Sequence, residues 1–326
     1  MARLLVTGGA GYIGSHVAMK LMERGHRVVV YDNLSTGHAD AAPGAEMVVA
    51  DLADMAALDR ICKKRSFDAV MSFAASVVAP ESVQMPLSYY ANNTCATLVL
   101  LQALSNHQIG ALVYSSTAAV YGAPETTPTT EDSPLNPVNP YGASKMMSER
   151  MIEDVGRAMG LGHVILRYFN VAGADPKGRI GQTTENATHL VKVACQAALG
   201  ARPGVTIYGT DYPTPDGTGV RDYIHVDDLA SAHLLALDYL LDGGAPRVYN
   251  CGYGHGHSVR EVIEAARRVS GKDFPVEEGP RRPGDPPMLV ASSERIKEEL
   301  GWAPEHDDLD FIISTALDWE KKLQRG

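Results

Sequence analysis

Runs of β-branched and aliphatic residues alternate with stretches of helical periodicity along the first half of the chain. RLLVTG, RVVVYD, EMVVAD, DAVMSFAA, ALVYSS and HVILRYFN read as buried strands, and SHVAMKLMERG and NTCATLVLLQALSN read as helices between them. Strands that lack an alternating polar face are covered on both sides, and their alternation with helices is the sequence form of a parallel sheet. The expected fold class is α/β, a doubly wound parallel sheet. The rhythm becomes irregular after VAGADPKG, where Asp175 to Gly178 form a turn cluster. A domain boundary is therefore expected there, giving residues 1–175 and 176–326, the second a smaller α/β domain. This second part reads as a helical segment around Asn186 to Leu199, a loop GTDYPTPDGTGVRDYIHVDD, a strand RVYNCG, a helix near Val259 to Ser270 and a segment GPRRPGDPP. It contains neither a long-period repeat nor a low-complexity tail.

Composition narrows the partners. The 326 residues are 45% hydrophobic and 21% charged, with a formal net charge of −10 and no local cluster of lysine and arginine, which argues against a nucleic-acid surface and for a small-molecule partner. MARLLVTGGAGYIG runs straight into a strand-like segment, and no apolar run of about 18 residues or more follows, so the expectation is a soluble cytoplasmic protein with no membrane partner. Cys62, Cys95, Cys195 and Cys251 are scattered without C-x-x-C spacing and read as reduced thiols.

The first strand leads into TGGAGYIGSH, in which Gly8, Gly11 and Gly14 are spaced G-x-x-G-x-x-G ahead of a helix. Glycines there permit a tight turn and let backbone N–H groups and a helix N-terminus approach a pyrophosphate. Asp32 ends the second strand about 20 residues further on, where a carboxylate accepts hydrogen bonds from an adenosine ribose. No arginine follows in DNLSTG to meet a 2′-phosphate, so the sheet is expected to be Rossmann-like and to bind NAD rather than NADP.

In NPYGASK, Asn139 suits a helix N-cap and Pro140 the first helical position. Tyr141 and Lys145 then lie one turn apart on one face, where the ammonium favours the phenolate of a tyrosine whose ordinary pKa is about 10. Tyr-x-x-x-Lys alone is a weak signal, since such a pair is usually a solvated helix face. Its meaning depends on the rest of the chain.

With the glycines, Asp32 and the Tyr141/Lys145 pair in one chain, the sequence resembles the extended short-chain dehydrogenase/reductase family, and within it the UDP-glucose 4-epimerases. The likeness is carried by VTGGAGYIGSH, YDNLSTG, ESVQMPLSYYANN, SSTAAVYG, NPYGASK, LRYFNVAGA, DGTGVRDYIHVDD and RRPGDPP, in that order. The resemblance implies that Tyr141 is the catalytic base, that Lys145 binds the nicotinamide ribose and lowers the tyrosine pKa, and that Thr117 hydrogen-bonds the reacting sugar oxygen. It implies an NAD site lined by Tyr12, Ile13, Asp32, Asn33, Asp51, Leu52, Phe73, Ala74, Ala75, Asn92, Ser115 and Phe169 beside the glycines. It also implies a UDP-sugar site of Asn170, Arg221, Arg282 and Asp285, with His189 and Tyr208, and a C2 side bordered by Leu289. The second domain would then bind the UDP-sugar, and the chain would pair as a homodimer through the helices after Asn92 and from Tyr141. Two planar, permanently charged guanidinium groups suit a diphosphate.

Two departures stand out. Val77 occupies a segment in which many epimerases carry a lysine near the cofactor phosphates. His255 and His257 in GYGHGHSV fall in a glycine-rich strand-to-helix turn, and two histidines close no coordination shell, so no metal is expected. The expected activity is NAD-dependent interconversion of UDP-glucose and UDP-galactose through a 4-keto sugar. Epimerisation of UDP-xylose, UDP-glucuronate or a UDP-N-acetylhexosamine is the alternative. A dehydratase or decarboxylase is disfavoured because Ala118 and Ala119 follow Thr117 where those enzymes place carboxylates. A non-catalytic NAD-binding protein would not need Thr117, Tyr141 and Lys145.

Overall fold

The computed structural model describes residues 1–185, 187–282 and 284–325. In chain order the elements are β1 (Arg3–Thr7), α1 (Tyr12–Glu23), β2 (Arg27–Asp32), β3 (Glu46–Val49), α2 (Met55–Lys64), β4 (Ala69–Ser72), α3 (Ala79–Gln84), α4 (Pro86–Tyr89), a π-helical turn (Tyr90–Cys95), α5 (Ala96–Asn106), β5 (Ala111–Thr117), a 3-10 turn (Ala118–Tyr121), α6 (Pro140–Met159) and β6 (Gly162–Tyr168). They continue with β7 (Asn170–Ala172), α7 (Leu190–Ala198), β8 (Val205–Tyr208), β9 (Val220–Arg221), β10 (Tyr223–His225), α8 (Val226–Leu241), β11 (Arg247–Cys251), β12 (His257–Ser258), α9 (Val259–Ser270), β13 (Val276–Gly279), β14 (Met288–Leu289), α10 (Glu294–Leu300) and α11 (Leu309–Leu323).

The chain forms two compact units interleaved in sequence. One takes Met1–Tyr121, Leu135–Arg167 and Ala230–Tyr249, and the other takes Gly122–Pro134, Tyr168–Leu229 and Asn250–Gly326. This differs from a single cut after residue 175. The reason is long-range strand pairing: β11, late in the chain, is the neighbour of β6 in the main sheet, so the chain must return there through α8.

That sheet has seven strands in the order β11-β6-β5-β4-β1-β2-β3. β1 is parallel to both β2 and β4, β2 to β3, and β4 to β5. The order runs outward in opposite directions from β1 and β4, which makes the space beyond their carboxyl ends the topological switch point where α/β sheets take their ligands. Leu4, Leu5 and Val6 of β1, Val70 and Met71 of β4 and Leu112 and Val113 of β5 are fully buried. This is why these strands read as unbroken apolar runs. On one face Leu58, Leu100, Leu104 and Ile152 from α2, α5 and α6 close over Leu5, Val70, Leu112 and Ile165. Truncating any such leucine to alanine would cost about 2–5 kcal/mol.

The run HVILRYFN is not one strand. It breaks at Phe169, and β7 pairs in parallel with β10 in a separate two-stranded sheet. Within the second unit β9 is flanked by antiparallel β12 and parallel β14, and β8 pairs with β13. Helices α7, α9 and α11 pack on one another. The expected helix at Val259–Ser270 is α9, started by a capping box between Ser258 and Glu261 and stopped at Gly271, φ 64°. The helical segment expected from Asn186 is α7, which begins at Leu190, while Asn186 itself lies outside the described residues. Among the described residues no helix is long and apolar enough to cross a membrane.

Candidate active site

The turn between β1 and α1 is built from contacts that only glycine allows. Gly8 has φ +70°, and a Cβ on it would lie 2.4 Å from the backbone nitrogen of Ala74, so the turns after β1 and β4 touch at the switch point. A Cβ on Gly14 would lie 2.2 Å from the carbonyl oxygen of Gly8. On Gly11 it would meet only that oxygen, at 3.3 Å, so the turn is open on this side. Gly11 is the N-cap of α1 and supplies no side-chain cap, and α1 begins directly after it at Tyr12 and Ile13, so a helix N-terminus, the kind of site that takes an anion, lies at this open edge. An open glycine edge at a helix N-terminus fits a pyrophosphate, and these residues would hold that part of NAD.

The adenosine side follows on β2. Asp32 is buried, accepting the Ala10 N–H at 3.0 Å and the Leu34 N–H at 2.8 Å, with lone pairs still free for ribose hydroxyls. Asn33 Nδ2 donates to Asp51 Oδ2 (2.9 Å), and Asp51 Oδ1 accepts from Ala53 N (2.8 Å), which ties the ends of β2 and β3 together next to buried Leu52. Past β4 the Phe73 ring stacks at a tilt against His233, centroids 4.9 Å apart, ahead of Ala74 and Ala75. Asn92, on the π-helical turn, donates to Ser76 Oγ at 3.0 Å.

Its neighbour Asn93 was not singled out from the sequence. Asn93 Oδ1 accepts from Ser76 N (2.8 Å), while its Nδ2 donates to the Ser76 carbonyl (3.0 Å) and to Ser144 Oγ on α6 (3.0 Å). This buried amide fixes the segment after β4 to the helix that carries Tyr141. The signal that could have found it is the doubled asparagine of YYANN, since a fully satisfied buried amide is a specific connector.

α6 begins as expected. Asn139 Oδ1 accepts from Gly142 N at 2.9 Å and Pro140 occupies the first turn. Tyr141 and Lys145 consequently share a face, both buried. Lys145 Nζ donates to the Ser115 carbonyl at 2.8 Å and lies 4.7 Å from the centre of the Tyr114 ring. Thr117, at the end of β5, takes the Ala119 N–H on its Oγ1 at 3.1 Å and is near enough to the Tyr141 phenol to favour its ionised form. Burial pushes the Tyr141 phenol above its ordinary value, although Lys145 and Thr117 pull it down. Burial likewise lowers Lys145, against the opposing pull of Tyr141 and Glu149. The spacing argument identifies the right cation but omits desolvation, and in the protein alone desolvation wins.

In the second unit, Arg221 ends β9 half-buried, with Nη2 3.6 Å from Asp285 Oδ1. Leu289 stands opposite it in the β9–β14 register and is buried. Asn170 starts β7, its N–H donated to the Asp222 carbonyl at 3.0 Å, immediately next to Arg221 in sequence, and Phe169 before it is buried. Arg282 stacks its guanidinium 3.9 Å from the centre of the Tyr208 ring. Arg221, Asp285 and Leu289 are thus brought together, as are Tyr208 and Arg282. His189 instead heads α7, its Nδ1 3.0 Å from Gln182 Nε2. His255 pairs with Asp307 at 2.8 Å on the surface, and His257 stands edge-on to it at 5.4 Å.

Residues 4–252 match the model of the NAD dependent epimerase/dehydratase family. The chain is 57% identical over 325 residues to the UDP-glucose 4-epimerase of Azospirillum brasilense, covering 99% of this chain and 93% of that one. It superimposes with a TM-score of 0.95 at 38% identity on the UDP-glucose 4-epimerase of Bifidobacterium longum in complex with NAD+ and UDP, with 99% of each chain covered. It also resembles the UDP-Glc/GlcNAc 4-epimerase of Campylobacter jejuni, with a TM-score of 0.86 and 46% identity over 99% of this chain and 100% of that one.

Proposed function

From the premise that the chain belongs to the NAD-dependent epimerase/dehydratase family, we propose that it is an NAD-dependent 4-epimerase interconverting UDP-glucose and UDP-galactose through a transient 4-keto sugar. The observation that carries this reading is the buried set of Tyr141, Lys145 and Thr117, with Lys145 Nζ held on the Ser115 carbonyl at 2.8 Å and Ala118 and Ala119 directly after Thr117. The first three residues supply a proton acceptor for a hydroxyl. The two alanines supply no acid or base for eliminating water or carbon dioxide. Bound NAD would supply reversible oxidation at the sugar C4. Tyr141 accepts the proton of the 4-hydroxyl and later returns it. Thr117 orients that oxygen, and Lys145, anchored on the Ser115 carbonyl, holds a positive charge that favours ionised Tyr141. Arg221 and Arg282 hold the diphosphate while the keto sugar turns its other face, so that reduction inverts C4. Asp285, Tyr208, Asn170 and Leu289 border the same ligand, and His189 has the least geometric support among the expected substrate residues. Phe169, Ser115 and Asn92 complete the nicotinamide side.

The naming of the Azospirillum relative and the NAD+ and UDP in the Bifidobacterium structure support this reading. The test is incubation with UDP-galactose followed by proton NMR of the sugar. UDP-glucose is the expected product, and Tyr141→Phe should lower kcat about 10²- to 10⁴-fold while leaving bound NAD in place. A dehydrated or decarboxylated product, or full turnover by the variant, would overturn it. We also infer a cytoplasmic homodimer. Leu98 on α5 and Met147 on α6 are 45% and 42% exposed, as a helical pairing face would be in an isolated chain. Light scattering at micromolar concentration should give twice the chain mass, and a monomer mass would remove the dimer.

A further inference from the structure

We propose that Glu149 is a positioning residue for the reacting side chains: one buried carboxylate ties the strand carrying Ser115 and Thr117 to the helix carrying Tyr141 and Lys145. The proposal rests on the reading that Thr117, Tyr141 and Lys145 perform the chemistry.

The geometry has two ends. On α6, Glu149 follows Lys145 by one turn and Tyr141 by two, so all three lie along one stripe of the helix. On β5, the hydroxyl of Ser116 donates a short hydrogen bond to Glu149 Oε1. Ser116 lies between Ser115, whose carbonyl holds Lys145, and Thr117, which lowers the pKa of Tyr141. The register of β5 against α6, and with it the placement of all three reacting groups, is therefore gripped at one oxygen.

Arg167 of β6 fixes that carboxylate. Its Nε lies 3.1 Å from both carboxylate oxygens, its Nη2 lies 2.6 Å from Oε2, and its Nη1 donates to the Tyr121 hydroxyl at 3.0 Å. Ser116, Glu149, Arg167 and Tyr121 are all at most 4% exposed. For stability alone such an ion pair is no better than apolar side chains of equal volume. Apolar side chains, however, could neither hold Ser116 by its hydroxyl nor place a negative charge behind Lys145. The charged and titratable groups around Lys145 are Tyr141 and Glu149 from α6, Tyr114 from β5, Arg167 from β6 acting through Glu149, and His233 from α8, which meets Ser115 Oγ at 2.9 Å. Of these, Tyr141 and Glu149 favour the ammonium against burial.

The experiment compares wild type with Glu149→Gln, Ser116→Ala and the paired Glu149→Met/Arg167→Met. It reads kcat against pH and, independently of turnover, the pH at which Lys145 loses its proton, followed by ¹⁵N NMR of labelled lysine with the resonance assigned through Lys145→Arg. Glu149→Gln is expected to lower kcat about 10- to 100-fold, as for a displaced reacting group, and to move both the alkaline limb and the Lys145 titration to lower pH. Ser116→Ala should lower kcat severalfold without moving the titration. If Glu149→Gln does not fold because Arg167 is left unpaired, the paired variant carries the same expectation for kcat with a smaller titration shift. A folded variant lacking Glu149 whose kcat and Lys145 titration both match wild type would overturn the proposal. Wild-type protein that turns over no UDP-sugar would instead overturn the proposed reaction, and the Lys145 titration would still decide the role of Glu149.

Discussion

Leu289 lies opposite Arg221 in the β9–β14 pairing and is only 9% exposed, so its size limits the space beside the arginine. On the proposed assignment of Leu289 to the sugar C2 side, leucine, being smaller than tyrosine, leaves more room for an N-acetyl group. Leu289→Tyr should therefore depress turnover of UDP-N-acetylglucosamine selectively, by an amount equivalent to about 1–3 kcal/mol in kcat/KM, and spare UDP-glucose. Equal losses on both sugars would mean that Leu289 does not border C2. At this scale the glycines, Asp32 and the Tyr141/Lys145 pair were legible as candidates from their spacing, whereas Thr117, Arg221 and Arg282 were singled out only through the motifs that carry the resemblance. The balance acting on Tyr141 was not legible. Spacing shows which charge is near, but only the packed structure shows how much water has been removed, and here that removal outweighs the charge. Asn93 escaped for a related reason, since its partners Ser76 and Ser144 are far from it in sequence.

Elements with a local cause were legible. The turn between β1 and α1 follows from its glycines, and the start of α6 follows from Asn139 and Pro140. The glycines differ in what they do, and alanine at each separates structure from ligand. Gly14→Ala forces a methyl group against a backbone carbonyl at 2.2 Å, so Tm and NAD content should both fall. Gly11→Ala meets only 3.3 Å contact and leaves φ at −78°, so Tm should hold within the effect of about 1 kcal/mol while NAD content drops. Protein-bound NAD released by denaturation and calorimetric Tm are the two measurements, and parallel losses in both variants would contradict the distinction. The π-helical turn at Tyr90–Cys95 had no such local signature, because a wider hydrogen-bond register leaves no trace in the apolar periodicity by which helices are read. The break at Phe169 was hidden for the reverse reason, since residues on both sides of it are strand formers.

For the whole molecule, buried tyrosines set an alkaline limit. Burial pushes Tyr31, Tyr114 and Tyr223 up to about 12, with nearby aspartates adding to the effect at Tyr31. Unfolded, each would ionise near about 10. The folded state thus keeps protons that the unfolded state has lost, so stability is unaffected below pH of about 10 and falls as pH rises from about 10 to 12, on the order of 2–3 kcal/mol for each tyrosine. The urea midpoint should be lower at pH 11 than at pH 9, with the tyrosinate absorbance rising together with loss of helical circular dichroism. Absorbance that rises first would show that these phenols ionise in the folded chain. The order of the elements in the first half was legible from local pattern, but GTDYPTPDGTGVRDYIHVDD, expected as a loop, carries β9, β10 and the start of α8, and the partition into units was hidden because it depends on β11 returning to β6. The chain changes units after Tyr121, Pro134, Arg167, Leu229 and Tyr249, so the second unit comes from three separate stretches. A single recombination crossover between two genes of this kind can never exchange one unit whole. Inheritance of the second unit as a whole by gene shuffling would need three coordinated inserts, whereas the last stretch alone, which holds Leu289, can be exchanged at a single crossover.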